Sequence, residues 1–287
     1  MNIPKMRSPK VAFEAVPRNW FAGSRSATHV ANAVNLLFPA GERFFIRSVM
    51  HYMPQLSPER AAQVRGFFAQ EGKHAHAHEQ LFETLKTQGY DIDSILRRYE
   101  KVAYDGIEKA TSPRMRLAVT AALEHFTAIM AEDALQTREL EHADPEVRHL
   151  LEWHAVEELE HKAVAFDVLA EVAPSYPLRC AGMILAVLTL GGFWVFAFRE
   201  LVKQDGMTMR EALRDLRAIQ AHGKKTGQFL GEGPIATRIF ARGIRAYLRR
   251  GFHPNDVDHQ PIIDAALARL RAEGVLNPEK ASAQAAA

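Results

Sequence analysis

A single cysteine, Cys180, stands in 287 residues. One thiol makes no disulfide framework within the chain and no cysteine-ligated zinc or iron–sulfur site. Strand-like alternation is rare, and glycine and proline are sparse from about residue 24 to 173. Long stretches there carry apolar residues at helical spacing instead. An excess of one charge is also missing: 36 Lys and Arg face 34 Asp and Glu, a formal net charge of +2. So mild a balance does not point to nucleic acid. No basic n-region with an apolar h-region opens the chain, so a reducing cytoplasm is the expected compartment. With 47% hydrophobic and 24% charged residues, the composition excludes a disordered, collagen-like or low-complexity protein. The length fits one large domain or two ordinary ones.

Residues 1–23 read as an irregular arm. A first helix is predicted from Ser26 to Tyr52, kinked or restarted at Pro39 and Gly41. Ser57 can cap a second helix, with Pro58 and Glu59 in its first turn, ending near Gln88 before Gly89. A connector helix follows over Ile92–Lys109. Ser112-Pro113 opens a third long helix, ending near His142. Asp144-Pro145-Glu146 opens a fourth, which Pro174 and Pro177 terminate. Four long helices with a long crossover between the second and third suit a ferritin-like four-helix bundle over residues 24–176.

Cys180 to Phe198 is 19 residues without a charge, between Arg179 and Arg199. At about 1.5 Å per residue it could reach across a hydrocarbon core of about 30 Å. The alternative is a helix buried against the bundle or in a homodimer interface, so 177–203 is either packed on the bundle or membrane-associated. Residues 199–253 carry 12 Lys and Arg against 5 Asp and Glu, including Arg210, Arg214, Arg217, Lys224, Lys225, Arg238, Arg242, Arg245, Arg249 and Arg250. Such a cluster either meets an anionic membrane surface or forms a solvated helix face. No aromatic stacking platform accompanies it, which argues against nucleic acid. Residues 204–287 read as a basic helical region, with a short helix over Ile262–Glu273 and a frayed end at 281–287.

The bundle's chemistry follows from its acidic residues. Helical-bundle metal sites use Glu from two helices and Glu-x-x-His from two others. Glu42 lies on the first helix, Glu71 and His74 on the second, Glu124 on the third, Glu158 and His161 on the fourth. Residues three apart share a helix face, so each Glu/His pair can serve one metal cluster. His154 precedes Glu158 by four, about 40° away on that same face, and adds a third histidine. Unpaired carboxylates in a core are expensive, so such a set needs a cation. Carboxylate with imidazole suits iron or manganese.

Other candidates carry less. Chance alone yields about one Glu-x-x-His in a chain of this composition. Glu139/His142 sits at a polar helix end and reads as surface. His78, seven residues after Glu71, reads as solvated or capping before it reads as a ligand. His76 points elsewhere, and His125 reads as surface or packing. Asp167 could accept a ligand histidine's second N–H. Phe38, Phe44, Phe45, Phe67, Phe68 and Phe126 read as core or as the lining of an apolar pocket. Cys180 reads as an inert buried thiol.

The Phe38-Pro39-Ala40-Gly41-Glu42-Arg43-Phe44-Phe45 block, Glu71-x-x-His74, His154-x3-Glu158-x2-His161 and Arg250-Gly251-Phe252-His253-Pro254 resemble bacterial predicted metal-dependent hydrolases. That resemblance covers about residues 20–260. The ligand set, Glu42, Glu71, His74, Glu124, His154, Glu158 and His161, also resembles that of the di-iron p-aminobenzoate N-oxygenases. It implies two iron ions, with a manganese–iron pair as the variant, and makes His154 that group's extra histidine. The long apolar stretch and basic tail depart from it.

The primary expectation is a di-iron oxygenase or oxidase that activates O2 at a Glu4His3 site to oxidise a small organic molecule at nitrogen or carbon. It would need an electron donor such as a ferredoxin or reductase, because no flavin or nicotinamide motif is visible. The alternative is a dinuclear hydrolase of a phosphoester, ester or amide. A non-catalytic metal-binding or membrane-associated protein is the third reading. The expected location is cytoplasmic, in solution or held at the inner membrane.

Overall fold

A computed structural model describes residues 3–137, 139–226 and 236–277, leaving aside the side chains at 222–226 and 236–238. Lys224, Lys225 and Arg238 of the basic cluster therefore lie outside the described side chains, and the end at 281–287 outside the described residues. No strand occurs among the described residues.

Ser24 caps α1 (Arg25–Asn35), its side chain accepting from Ala27 N. The chain restarts at once as α2 (Phe38–Met50), with Pro39 in the first turn, where a missing N–H costs nothing. The single helix expected over Ser26–Tyr52 is thus two. Ser57 caps α3 (Pro58–Thr87), and Gly89, at φ 93°, takes the left-handed turn after it. The connector begins as α4 (Ile92–Glu100) and widens into π-helical turns over Lys101–Glu108. The wider turn brings the Tyr104 hydroxyl to 2.8 Å from that of Tyr99. α5 spans Pro113–Thr137, and 3-10 turns over Glu139–His142 follow it. Asp144 caps α6 (Pro145–His161). The predicted fourth helix breaks directly after His161 and resumes as α7 (Val164–Val172). Lys162 sits at the break, donating to Val257 O at 2.8 Å and lying 2.6 Å from His259 Nδ1.

α2 packs on α3 and α5 on α6, and the pairs meet through α2–α5 and α3–α6. This is the expected all-α four-helix bundle, with further helices after it: α8 (Tyr176–Gln204), α9 (Met209–Thr226), α10 (Arg242–Tyr247) and α11 (Gln260–Ala272). Phe67, Phe126 and Leu117 fill the core between α3, α5 and α7, while Trp153 and Leu150 pack α6 against α11. Deleting a ring such as that of Phe67 would cost about 3–5 kcal/mol. The N-terminal arm is irregular yet built into the core through Phe13, Val16 and Trp20.

α8 carries the apolar run. It lies so close along α5 that a Cβ on Gly182 would meet Ala118 O at 2.6 Å, which leaves room only for glycine. Its outer face is bare: Ile184, Leu188 and Val195 are 61%, 66% and 62% exposed. α8 is long and apolar enough to cross a membrane, and 28% of its most apolar stretch is buried. Cys180, near its start, is half-buried rather than enclosed.

Candidate metal centre

Eight titratable side chains converge between the four bundle helices. α2 supplies Glu42; α3 supplies Glu71, His74 and His78; α5 supplies Glu124; α6 supplies His154, Glu158 and His161. Each is at most 4% exposed. All seven residues expected from the sequence are brought together. His78 joins them, against its reading as solvated: it is fully buried, with Nε2 2.7 Å from His154 Nδ1. The signal for it was its place four residues after His74, on the same helix face.

The donor atoms form overlapping groups in which each atom lies within 4.8 Å of the others. Glu71, Glu124 and His161 make one. Glu42, Glu71 and His74 make another, as do His74, His154 and Glu158, and Glu42, His78 and His154. Glu71 belongs to groups at both ends of the cluster. Glu158 also spans it, with Oε1 2.8 Å from His154 Nε2 and Oε2 3.5 Å from His161 Nε2.

Apart from His154, which bonds Glu158 Oε1 and His78 Nε2, the donors face one another without satisfying one another. Both oxygens of Glu42, Glu71 and Glu124 lack hydrogen-bond partners, as do Glu158 Oε2, His74 Nδ1 and His161 Nε2. Glu71 Oε1 approaches His161 Nε2 to 3.0 Å without hydrogen-bond geometry. Stranding one buried polar group costs about 1–3 kcal/mol, and more when it is charged. A cation among them answers every one of these atoms, so the residues fit metal ions.

Without a cation, burial and the neighbouring carboxylates push Glu42 and Glu124 well above the usual carboxylate range. Burial raises Glu71 as well. Burial works against charge on His74, but Glu157 and Glu158 overcome it and lift His74 to about 9. Glu158, chiefly, also holds His161 well above its ordinary value against burial. The same imidazoles hold Glu158 well below its own, again against burial. Burial and the facing His74 drop His154 to about 4.

An outer layer fixes the imidazoles. Glu157 Oε2 lies 3.0 Å from His74 Nε2, and Gln70 Oε1 accepts from His161 Nδ1 at 2.9 Å. The inward nitrogens are therefore His74 Nδ1 and His161 Nε2. The arrangement is reciprocal. Gln70 precedes Glu71 on α3 and serves the histidine of α6; Glu157 precedes Glu158 on α6 and serves the histidine of α3. The N-terminal arm closes this layer. Arg7 N donates to Glu157 Oε1 at 2.8 Å, the Arg7 guanidinium takes both oxygens of Glu160 at 2.7 and 2.8 Å, and Gln70 Nε2 donates to Lys5 O at 3.2 Å.

Asp167 does not take the role considered for it. It pairs with Arg60 at 2.6 Å and His253 at 2.8 Å, because the break after His161 carries α7 away from the centre. His125 is a packing residue, with Nε2 2.9 Å from Gly243 O.

Fold and site together define an all-α protein with a buried carboxylate–imidazole cluster suited to metal ions. Over residues 5–258 the chain matches the family described as predicted metal-dependent hydrolase, and it belongs to that family. No curated protein matches the chain. No solved structure matches it either. The family description names hydrolysis. It therefore supports the alternative given above better than the oxidative expectation.

Proposed function

We propose that the cluster holds two metal ions and that the protein is a hydrolase acting there on an apolar small molecule. The observation that carries this is the buried set of four carboxylates and four imidazoles with inward atoms left unpartnered. The family description supports hydrolysis. Glu71 and Glu158, central in the cluster, would be among the residues that hold the ions. Glu124 and His161 would complete one end, and Glu42, His74 and His154 the other, with His78 beside His154. Two such ions acidify a water and polarise a scissile carbonyl or phosphoryl oxygen. The protein's part is to fix the imidazoles through Gln70, Glu157 and His78. Phe38, whose ring centroid lies 4.9 Å from those of both His78 and His154, shields that end of the cluster from water.

One observation favours a second reading. The donors are carboxylate and imidazole only, and a tightly enclosed cluster of eight leaves few open positions for both water and substrate. That donor set suits two irons, or a manganese–iron pair, oxidising the substrate with O2 and an external electron donor.

One experiment separates the readings. The protein is loaded anaerobically with Fe(II), Mn(II) or Zn(II), and bound ions are counted. Each form is then assayed on p-nitrophenyl esters and phosphates, and the iron form with an oxygen electrode. Two ions per chain and metal-dependent ester or phosphate cleavage support hydrolysis. Two irons with stoichiometric O2 uptake and no cleavage support oxidation. A chain that binds no metal overturns both.

A further inference from the structure

An apolar cavity of about 100 Å³ lies between α2, α5, α8 and the π-helical turns over Lys101–Glu108. Its inner wall is the metal cluster's own scaffold. Phe38 and Gly41 flank Glu42 on α2, and Leu123 and Thr127 flank Glu124 on α5. Phe38 lines the cavity while packing on His78 and His154. No donor of the cluster lines the cavity, which comes within one side chain of it at Phe38.

Its outer end adjoins a second space. Ile107, Leu185, Thr189 and Phe193 line both the cavity and a wider groove of about 580 Å³ on the outside of α8. Leu188, Gly192, Phe196 and Val102 continue that groove. Leu188 and Val102 are 66% and 52% exposed. Largely apolar side chains therefore run from the bare face of α8 inward to the ring that packs on the cluster's histidines. A helix, about 10–12 Å across with its side chains, does not enter so narrow a space. A single flexible alkyl chain does. Exposed apolar area of this kind marks a site of interaction.

We propose that the cavity binds the alkyl chain of an amphiphilic substrate, which enters over α8 and lies against Phe38, within one side chain of the cluster. This names the substrate class for the proposed metal site and rests on that reading for the chemistry, though not for binding. The chain's source is a bilayer lipid or a free fatty acid. The apolar face of α8 serves either.

The test uses a fluorescent polyene fatty acid as probe, with metal-loaded and chelator-treated protein. Two plugs are compared with the wild type. Gly41→Leu fills the inner end. A Cβ there meets only Phe45 Cζ, at 4.0 Å, and leucine favours the helix more than glycine does. Thr189→Trp fills the junction with the groove. The expected result is saturable binding by the wild type with or without metal, weakened about tenfold or more by each plug, while helical circular dichroism and bound-metal content stay unchanged. Equal affinity in the wild type and both folded plugs overturns the proposal, as does absence of saturable binding. Two bound ions without probe binding defeat this inference alone. Probe binding without bound ions defeats the proposed function alone. The second arm offers the probe in phosphatidylcholine vesicles. Transfer faster than its spontaneous release into buffer assigns the bilayer as source; transfer at that release rate assigns the free acid.

Discussion

The two halves of the bundle treat their donors differently. On α3 and α6 three of the cluster's histidines are held from behind: His74 by Glu157, His161 by Gln70, His154 by His78. On α2 and α5, Glu42 and Glu124 have no hydrogen-bond partner on either oxygen, and their chain neighbours Gly41 and Leu123 line an apolar cavity. Partners behind an imidazole fix its tautomer and orientation. A carboxylate without them can turn between terminal and bridging positions. The histidines are thus fixed from outside the cluster, while Glu42 and Glu124, like Glu71 on α3, are not.

The largest expected effect comes from the carboxylate that joins the two ends of the cluster. Glu158 touches His154, His74 and His161 at 2.8, 3.5 and 3.5 Å. Glu158→Ala should abolish binding of both ions, an affinity loss above the roughly 10–100-fold typical of outer-layer changes. Glu124 belongs to one donor group. Glu124→Ala should therefore remove one ion and spare the other. Metal analysis after desalting reads both. Loss of both ions in Glu124→Ala would erase the distinction between a joining and a terminal carboxylate.

Removing the metal should reverse the protein's response to pH. In the chelator-treated protein, Glu42, Glu71, Glu124, His74 and His161 hold protons above their ordinary ranges. Above the ordinary histidine range and up to about pH 9, the unfolded chain has lost the proton of His74 while the native chain retains it, and the raised His161 and glutamates act in the same direction. The native state then binds more protons, so stability falls as pH rises, by about 1.4 kcal/mol per pH unit for each net proton. Glu158 is ionised in both states and adds no slope, whereas His78 and His154, lowered in the native state, oppose the trend near the ordinary histidine range and cease to oppose it at higher pH. Loaded protein should show the opposite sign, because its ligands bind metal only when deprotonated. Urea midpoints at several pH values, with and without metal, check this. Parallel slopes would mean that the buried carboxylates are not held protonated.

A smaller effect tests the outer layer. Glu157→Gln keeps the size of the partner of His74 but removes its charge. Affinity should fall by about 10–100-fold with ion count unchanged at saturation. Arg7→Ala should act in the same direction and less, because Arg7 N still donates to Glu157 Oε1. Competition with a chromogenic chelator measures both.

The ligand helices were legible because the pattern repeats: a lone Glu on two helices and Glu-x-x-His on two more. Spacing alone places those side chains on one face of each helix. What escaped lies one position away. Gln70 and Glu157 each precede a ligand glutamate, about 100° around the helix, where a polar residue reads as surface. Their partners are on another helix, and pairing across helices leaves no mark in local spacing. His78 was discounted for its distance from Glu71, although it stands four residues from His74. Asp167 could serve a ligand histidine only on a continuous fourth helix, and the chain breaks at Lys162 and Ala163. The path over α8 was half visible. The apolar run was plain, but which of its residues face α5 depends on the contact at Gly182.

The smallest effect belongs to a motif that spacing finds and the fold leaves out. Glu139 and His142 have the same separation as Glu71 and His74. They lie on the 3-10 turns after α5, and at about three residues per turn a spacing of three stacks side chains along the outside of a short coil. Ala22 N donates to His142 O at 2.8 Å, so that backbone serves to anchor the N-terminal arm. His142→Asn should leave ion count, metal affinity and probe binding unchanged, with stability shifted by no more than about 0.5 kcal/mol. Loss of an ion in this variant would mean that a donor outside the bundle takes part. The contrast would then no longer lie between two halves of one centre, since a further ligand would have to reach it from the surface.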